Sequence, residues 1–179
     1  PLMGIEPGQK GVGDAEQQQN VGRRARMRMA VTAPSSMLVE TLRNAKLAGD
    51  VVLQDAPSKV IGIISMLPGE GKSTVASNFA QLLASSNERT LLIDADMRNP
   101  GLTRHLAFKA SAGIVEAVMG PEDWHAFLKQ DRQTGLMMLP AAMKGELSHS
   151  SELLASRGMR RLIEQARKEY DYIVVDLPP

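Results

Sequence analysis

The sequence contains no cysteine. That excludes a disulfide framework and any thiolate metal site. Its three histidines, His105, His125 and His149, are scattered without the spacing of a ligand set, and they read as surface or packing residues. No apolar run approaches the roughly 20 residues that a membrane-spanning helix needs. Nothing at the start has the pattern of a secretory leader. The net charge is only +1, so bulk electrostatics give no case for a nucleic-acid partner. No internal repeat is visible. Tyrosine is scarce: Tyr170 and Tyr172 are the whole supply.

The chain is 179 residues long and 43% hydrophobic, enough for one domain with a real core. It starts at Pro1 rather than Met and stops at Pro179, directly after an apolar strand pattern. The expectation is a piece of a longer protein, truncated on its C-terminal side. Residues 1–33 are rich in Gly, Gln and Arg without periodicity and read as a disordered basic linker. The linker ends in GRRARMRMA, with Arg23, Arg24, Arg26 and Arg28. Two readings stay open for it: a juxtamembrane segment facing anionic lipid, or a solvated charged linker. The domain itself is read as residues 34–179.

From Ser35 the pattern is helical, with Leu38, Leu42, Ala45 and Leu53 near one face, a serine cap at Ser35 or Ser36, and a stop or weak point at Gly49. KVIGIISM (59–66) reads as a strand buried on both faces. STVASNFAQLLASS is a helix with Val75, Phe79, Leu82 and Leu83 on one side. RTLLIDAD (89–96) is a second buried strand. One or two short helices lie around Gly120, and GLMMLPA (135–141) is a third strand. A helix over 150–170, broken at Gly158, precedes a fourth strand in YDYIVVDLPP. Alternating strands and helices predict an α/β fold, a parallel sheet with helices on both faces. Ligands of such sheets sit beyond the carboxyl ends of the strands.

Three motifs fall at that edge. SMLPGEGKST (65–74) ends as a phosphate loop ends, with Gly71, Lys72 and Ser73, although Met66 stands where such loops carry a first glycine. Gly69 and Gly71 let backbone N–H groups approach phosphate oxygens. The following helix, starting near Lys72, aims its positive dipole end at an anion. LLIDADMR puts Asp94 and Asp96 on the same side of a strand end, where two carboxylates beside a triphosphate can hold Mg²⁺ through water and orient a nucleophile. YIVVDLPP places Asp176 at a strand terminus, the pattern of an acid that serves the Mg²⁺ shell. Each motif alone has a plain structural alternative, a Gly-rich turn or a solvated strand end. Three on one predicted sheet edge point to a Mg-nucleotide site.

SMLPGEGKST, LLIDADMRNPG and YIVVDLPP, in that order, resemble the Walker A, Walker A′ and Walker B motifs of the bacterial tyrosine kinases found in polysaccharide co-polymerases. ETLRNAK and RTLLIDADMRNPGLTR are especially similar to rhizobial exopolysaccharide transport proteins of the succinoglycan type. The resemblance covers about residues 34–179. It implies a P-loop NTPase fold like that of the partition and septum-positioning ATPases, with ATP and Mg²⁺ as cofactors. Those ATPases carry a signature lysine near the start of the loop; Leu67 stands there, followed by Pro68, which favours the kinase branch.

The resemblance also implies roles. Pro68, Gly69, Glu70, Gly71, Lys72, Ser73 and Thr74 would cradle the nucleotide. Lys72, Asp94 and Asp96 would be catalytic, with Asp94 activating the acceptor hydroxyl. Ser73, Asp94, Asp96 and Asp176 would serve the metal. Glu40, Arg43 and Lys46 resemble a motif that joins family subunits into a ring. Their spacing lines them along one helix face, although a solvated helix face explains them equally well and Lys46 replaces an arginine. Other implied partners are a membrane activator segment, in cis or in trans, and the polysaccharide export machinery. The implied location is the cytoplasmic face of the inner membrane, as part of a longer membrane protein. The family's tyrosine cluster and further strands are expected outside these residues, so the 179 residues alone are expected to bind nucleotide poorly and not to autophosphorylate normally. Two other functions stay in view: an ATPase switch of the partition type, and a non-catalytic nucleotide-binding scaffold.

Overall fold

The computed structural model describes residues 12–106, 110–120, 123–141 and 150–179. Three helices come first: α1 (Val12–Arg26), α2 (Met29–Thr32) and α3 (Met37–Val52). The strands and helices then alternate as β1 (Lys59–Ile63), α4 (Lys72–Ser85), β2 (Thr90–Asp94), α5 (Gly101–His105) and α6 (Ile114–Met119). A 3₁₀ turn (Trp124–Phe127), β3 (Lys129–Gln130), β4 (Met137–Leu139), α7 (Ser150–Leu154), α8 (Arg157–Ala166) and β5 (Tyr172–Asp176) complete the order. Among the described residues no helix is long and apolar enough to cross a membrane.

The sheet runs β1-β5-β2-β4-β3. The first four strands in that order are parallel; β3, a two-residue strand that the sequence does not announce, pairs antiparallel with β4. All five positions of β2 and of β5 are buried. Their side chains alternate between two cores, as strand geometry requires. Leu92, Tyr172 and Val174 pack with α3 and α4. Leu91, Ile93, Ile173 and Val175 pack with α6 and α8. Each such fully buried aliphatic side chain contributes about 1.5–3 kcal/mol relative to exposure.

β1 departs from the expectation of a strand buried on both faces. It lies at the sheet edge and is buried on neither face: Ile61 and Ile63, partly buried, pack on the α4 side, and Val60 is 39% exposed on the other. In α3, Ser36 caps the start through Val39 N–H, and the helix runs past Gly49 to Val52. Val39 and Leu42 face the core, Ala45 is exposed, and Lys46 is only partly exposed. The last helical stretch breaks at Ser156, which caps α8, and not at Gly158. Gly158 is a packing residue: a Cβ there would lie 2.5 Å from the Val118 carbonyl oxygen.

The largest departure concerns the supposed linker. Residues 12–26 and 29–32 are helical, and Met27 and Ala30 are buried; residues 1–11 lie outside the described part. The reason is a polar stripe on α4. The Asn78 side chain accepts from Ala30 N–H at 2.7 Å and donates to the Arg26 carbonyl at 2.7 Å. Ser77 and Gln81 both donate to the Met27 carbonyl, at 2.7 and 2.6 Å. Arg28 reaches across to Asp131, 3.1 Å away. Composition hid this, because the partners of residues 26–30 lie about 50 and 100 positions further on.

Candidate functional site

The site assembles at the carboxyl ends of β1, β5 and β2. The register sets Ile63 level with Asp176, and Asp94 level with Asp176 on the other side. Past β1 the chain turns through Gly69 (φ 86°) and Gly71 (φ 91°), left-handed conformations that suit glycine. The Glu70 carboxylate accepts from Met66 N–H at 3.0 Å and Leu67 N–H at 3.1 Å. This brace closes the loop where other phosphate loops place a first glycine. Gly71 caps α4, and Lys72 is its first residue.

The Lys72 ammonium is buried against two carboxylates, donating to Asp96 Oδ2 at 2.7 Å and to Asp176 Oδ1 at 3.3 Å. Burial alone would lower its pKa. The Asp96 hydrogen bond and the charges of both acids outweigh that, and the net effect is a rise. Asp96 also accepts from Asn99 N–H at 3.0 Å, which fixes the turn after β2. Burial raises the Asp176 pKa; the nearby Ser73 hydroxyl and Lys72 offset part of the rise. Ser73 completes no hydrogen bond of normal geometry with it, and Asp176 Oδ2 stays unpartnered.

Asp94 is fully buried, and burial drives its pKa up to about 7. Its Oδ2 accepts twice from Thr103, from N–H at 2.8 Å and from the hydroxyl at 2.7 Å, which opposes the rise. The Thr103 hydroxyl in turn accepts from Ala141 N–H at 2.9 Å, tying α5 to the end of β4. Asp94 Oδ1 has no hydrogen-bond partner among the described residues. Thr103 and the whole of α5 escaped the sequence reading. No residue-spacing signal marks a threonine nine positions after an aspartate.

The structure therefore places Lys72, Ser73 and Asp96 on the wall of one cavity, with Asp176 buried behind Lys72 and Asp94 buried level with Asp176 on the next strand. The cavity measures about 790 Å³ and is lined by Pro68 through Val75, with Asp96 and Gly101. Among the described residues no group of three His, Cys, Asp or Glu side chains is placed to hold a metal by itself. The donor set nevertheless fits Mg²⁺, which takes one or two carboxylates and keeps its waters and phosphate oxygens. The two buried, unpartnered oxygens of Asp94 and Asp176 are acceptors awaiting donors.

Glu40, Arg43 and Lys46 do not behave alike. Arg43 pairs with Glu40 at the surface of α3. Lys46 turns inward to Asp50 at 2.7 Å and Glu88 at 3.2 Å. Tyr172 donates its hydroxyl to the same Asp50. Tyr172 is 2% exposed and Tyr170 9%, so both tyrosines are packing residues.

Comparison with known proteins fits this geometry. A family model described as AAA domain matches residues 58–179. The chain is 52% identical over 151 residues to the succinoglycan biosynthesis transport protein ExoP of Rhizobium meliloti, covering 84% of this chain and 19% of that protein. It thus spans about a fifth of that relative's length. Among solved structures, the BceF tyrosine kinase domain superposes with a TM-score of 0.77 at 33% identity, covering all of this chain and 72% of that one. The kinase domain of the Escherichia coli tyrosine kinase ETK gives 0.77 at 26% identity, over 84% of this chain and 58% of that one. The sheet is thus that of a P-loop NTPase with mostly parallel strands, and the chain belongs to the AAA-domain family.

Proposed function

We propose that this chain is the nucleotide-binding part of an ATP-dependent protein-tyrosine kinase that regulates the synthesis, export and chain length of an exopolysaccharide. The observation that carries this reading is the convergence of Lys72, Asp94, Asp96 and Asp176 beside a glycine-rich loop at one sheet edge. The similarity to a succinoglycan biosynthesis transport protein and to two tyrosine kinase domains supports it.

In the transfer, the acceptor's phenolic oxygen bonds to the γ-phosphorus, the bond to the bridging oxygen breaks, and ADP leaves with that oxygen. The phenolic proton needs an acceptor, because a phenol near pKa 10 stays protonated at neutral pH. Asp94 is that acceptor. Its raised pKa makes it a better base than an ordinary carboxylate, and Thr103 holds one oxygen while the other stays free. Lys72 leaves its carboxylates to meet the β- and γ-phosphates. The loop residues Pro68 to Thr74 supply the N–H cradle. Ser73, Asp96 and Asp176, with Asp94 beside them, would hold Mg²⁺ through its waters, and the ion would neutralise phosphate charge. Because Tyr170 and Tyr172 are buried, the phosphorylated tyrosines belong to other segments or other chains. A ring of copies, a membrane activator and the export machinery are the partners this reading proposes, at the inner face of the bacterial inner membrane.

The test is to incubate the full-length protein's cytoplasmic part with Mg-ATP and blot for phosphotyrosine, beside Lys72→Met and Asp94→Asn. Signal lost in both variants supports the kinase. ATP hydrolysis without phosphotyrosine indicates a switch ATPase instead, and nucleotide binding with neither activity indicates a scaffold.

A further inference from the structure

The cavity that holds the phosphate loop is also lined by Arg23, Arg26, Arg98 and Arg104. Two of these come from α1, the stretch that composition assigns to a linker. Arg23 and Arg26 are three residues apart on a helix, so they share one face, and both are exposed. Neither forms an ion pair among the described residues; Arg28, by contrast, is engaged with Asp131. Among the described residues Arg104 is bound to neutral oxygens only, those of Asn99 and Pro100. The acids that line the same cavity are committed elsewhere, Asp96 to Lys72 and Glu70 to the loop backbone. The result is an opening with a surplus of positive charge.

The placement of α1 is built, not incidental. The Arg26 carbonyl is held by Asn78, and the Met27 carbonyl by Ser77 and Gln81. All three anchors sit on α4, the helix whose first turn carries Lys72 and Ser73. The arginine face of α1 is therefore fixed relative to the phosphate loop through a single rigid element. His105 gives a second sign of crowding, since burial and the charges of Arg23 and Arg104 lower its pKa. Arginines gathered without carboxylate partners repel one another, and a polyanion between them removes that repulsion and gains charge-assisted hydrogen bonds.

We propose that α1 is part of the nucleotide site, with Arg23 and Arg26 facing the loop across the cavity as ligands of the polyphosphate of a nucleoside triphosphate. This rests on the nucleotide reading above and extends it to a segment outside the match at residues 58–179. The basic stretch then binds phosphate as a folded helix.

The experiment measures binding of a fluorescent ATP analogue with Mg²⁺ to the full-length protein's cytoplasmic part, with ATP, ADP and adenosine as competitors. The variants are Arg23→Ala/Arg26→Ala, Arg23→Lys/Arg26→Lys and Lys72→Met. The alanine pair is expected to weaken ATP by about tenfold or more, as lost charge-assisted hydrogen bonds should. The loss should be smaller for ADP and absent for adenosine, and the lysine pair should retain part of the affinity. Wild-type binding that is lost in Lys72→Met but unchanged in the alanine pair overturns the role of α1 and leaves the nucleotide site standing. Equal loss for ATP and adenosine also overturns it, because the helix would then act by shape and not by charge. A wild-type cytoplasmic part that binds no nucleotide removes the reading beneath, and this inference with it.

Discussion

Lys72 Nζ lies 2.7 Å from Asp96 Oδ2, inside the protein and away from solvent, with Asp176 Oδ1 on its other side at 3.3 Å. Lys72 is thus paired internally, and on the proposed nucleotide reading a triphosphate would exchange its two carboxylates for phosphate oxygens. Removing the cation leaves both acids buried without it. Lys72→Met should cost about 3 kcal/mol at pH 8, the usual scale for breaking a buried pair from one side. The sign with pH follows from Asp176, whose folded pKa is raised by burial. A raised carboxylate lowers stability above its folded pKa and has no effect below its unfolded value, near 4. The deficit should therefore shrink as pH falls toward 4. Urea melts of wild type and variant at pH 8, 6 and 4.5 read it. A deficit that grows on acidification would contradict this arrangement of charges.

Asp94 gives a separate pH signature. Its pKa is 3.8 unfolded and about 7 folded, chiefly through burial. The folded state therefore holds a proton that the unfolded state has released between those values. Stability from this group is full below pH 4, falls as pH rises, and is lost above about 7, an effect on the order of 4 kcal/mol at most. Asp94→Asn removes the charge and keeps the shape. It should stabilise the chain at pH 8, with a gain that fades to nothing by pH 4, while abolishing phosphoryl transfer. Denaturant titrations across that range decide it: a gain that stays constant with pH would show that Asp94 is ionised in the fold throughout.

Gly158 predicts a packing cost. A Cβ at this position would lie 2.5 Å from the Val118 carbonyl oxygen and 2.8 Å from a Val118 methyl. Gly→Ala inside a helix ordinarily stabilises by up to about 1 kcal/mol. Here the clash between α8 and α6 should reverse the sign, with Gly158→Ala destabilising by about 1–3 kcal/mol, as overpacking does. The comparison is a thermal or urea melt against Gly49→Ala, where no atom lies within 4 Å of the new Cβ and a small gain is expected.

What the sequence revealed and what it hid follow one physical rule. Apolar runs such as LLID and YIVVD are local signals, and β2 and β5 lie where those runs place them. The three motifs are anchored to strand ends, so the site's edge could be read before its geometry was known. The pairing of Lys72 with Asp96 and Asp176 spans 24 and 104 positions and leaves no local trace. The same holds for Thr103 on Asp94, where nothing marks the residue but the hydrogen bonds themselves. β1 read as a buried strand because its composition is apolar, yet exposure depends on which edge of the sheet a strand occupies. The N-terminal helices were hidden for a related reason. Their stability comes from Ser77, Asn78 and Gln81, polar residues on a helix otherwise recognised by its apolar face.

Lys46 and Arg43 lie three residues apart on α3 but should fail in different ways when removed. Lys46 is 20% exposed and bridges Asp50 and Glu88, and Asp50 also receives Lys59 at 3.5 Å and the Tyr172 hydroxyl. The hydrogen bond to Asp50 raises the Lys46 pKa more than burial lowers it, and burial raises Asp50 while its hydrogen bonds to Lys46 and Tyr172 lower it. The net result is a raised Lys46 and a lowered Asp50. Burial and the Asp50 hydrogen bond push the Tyr172 phenol up to about 12. Lys46→Ala should therefore cost fold stability, about 1–2 kcal/mol for a network only partly screened by water. Among the described residues Arg43 pairs with Glu40 alone, at the surface, a contact of the kind that contributes within about 0.5 kcal/mol. Glu40→Ala/Arg43→Ala should leave the melt unchanged, and any effect should show in assembly of the full-length cytoplasmic part by sedimentation velocity. If Lys46→Ala dissociates an assembly without lowering the melt, Lys46 belongs to the subunit interface and its inward pairing is not what holds it.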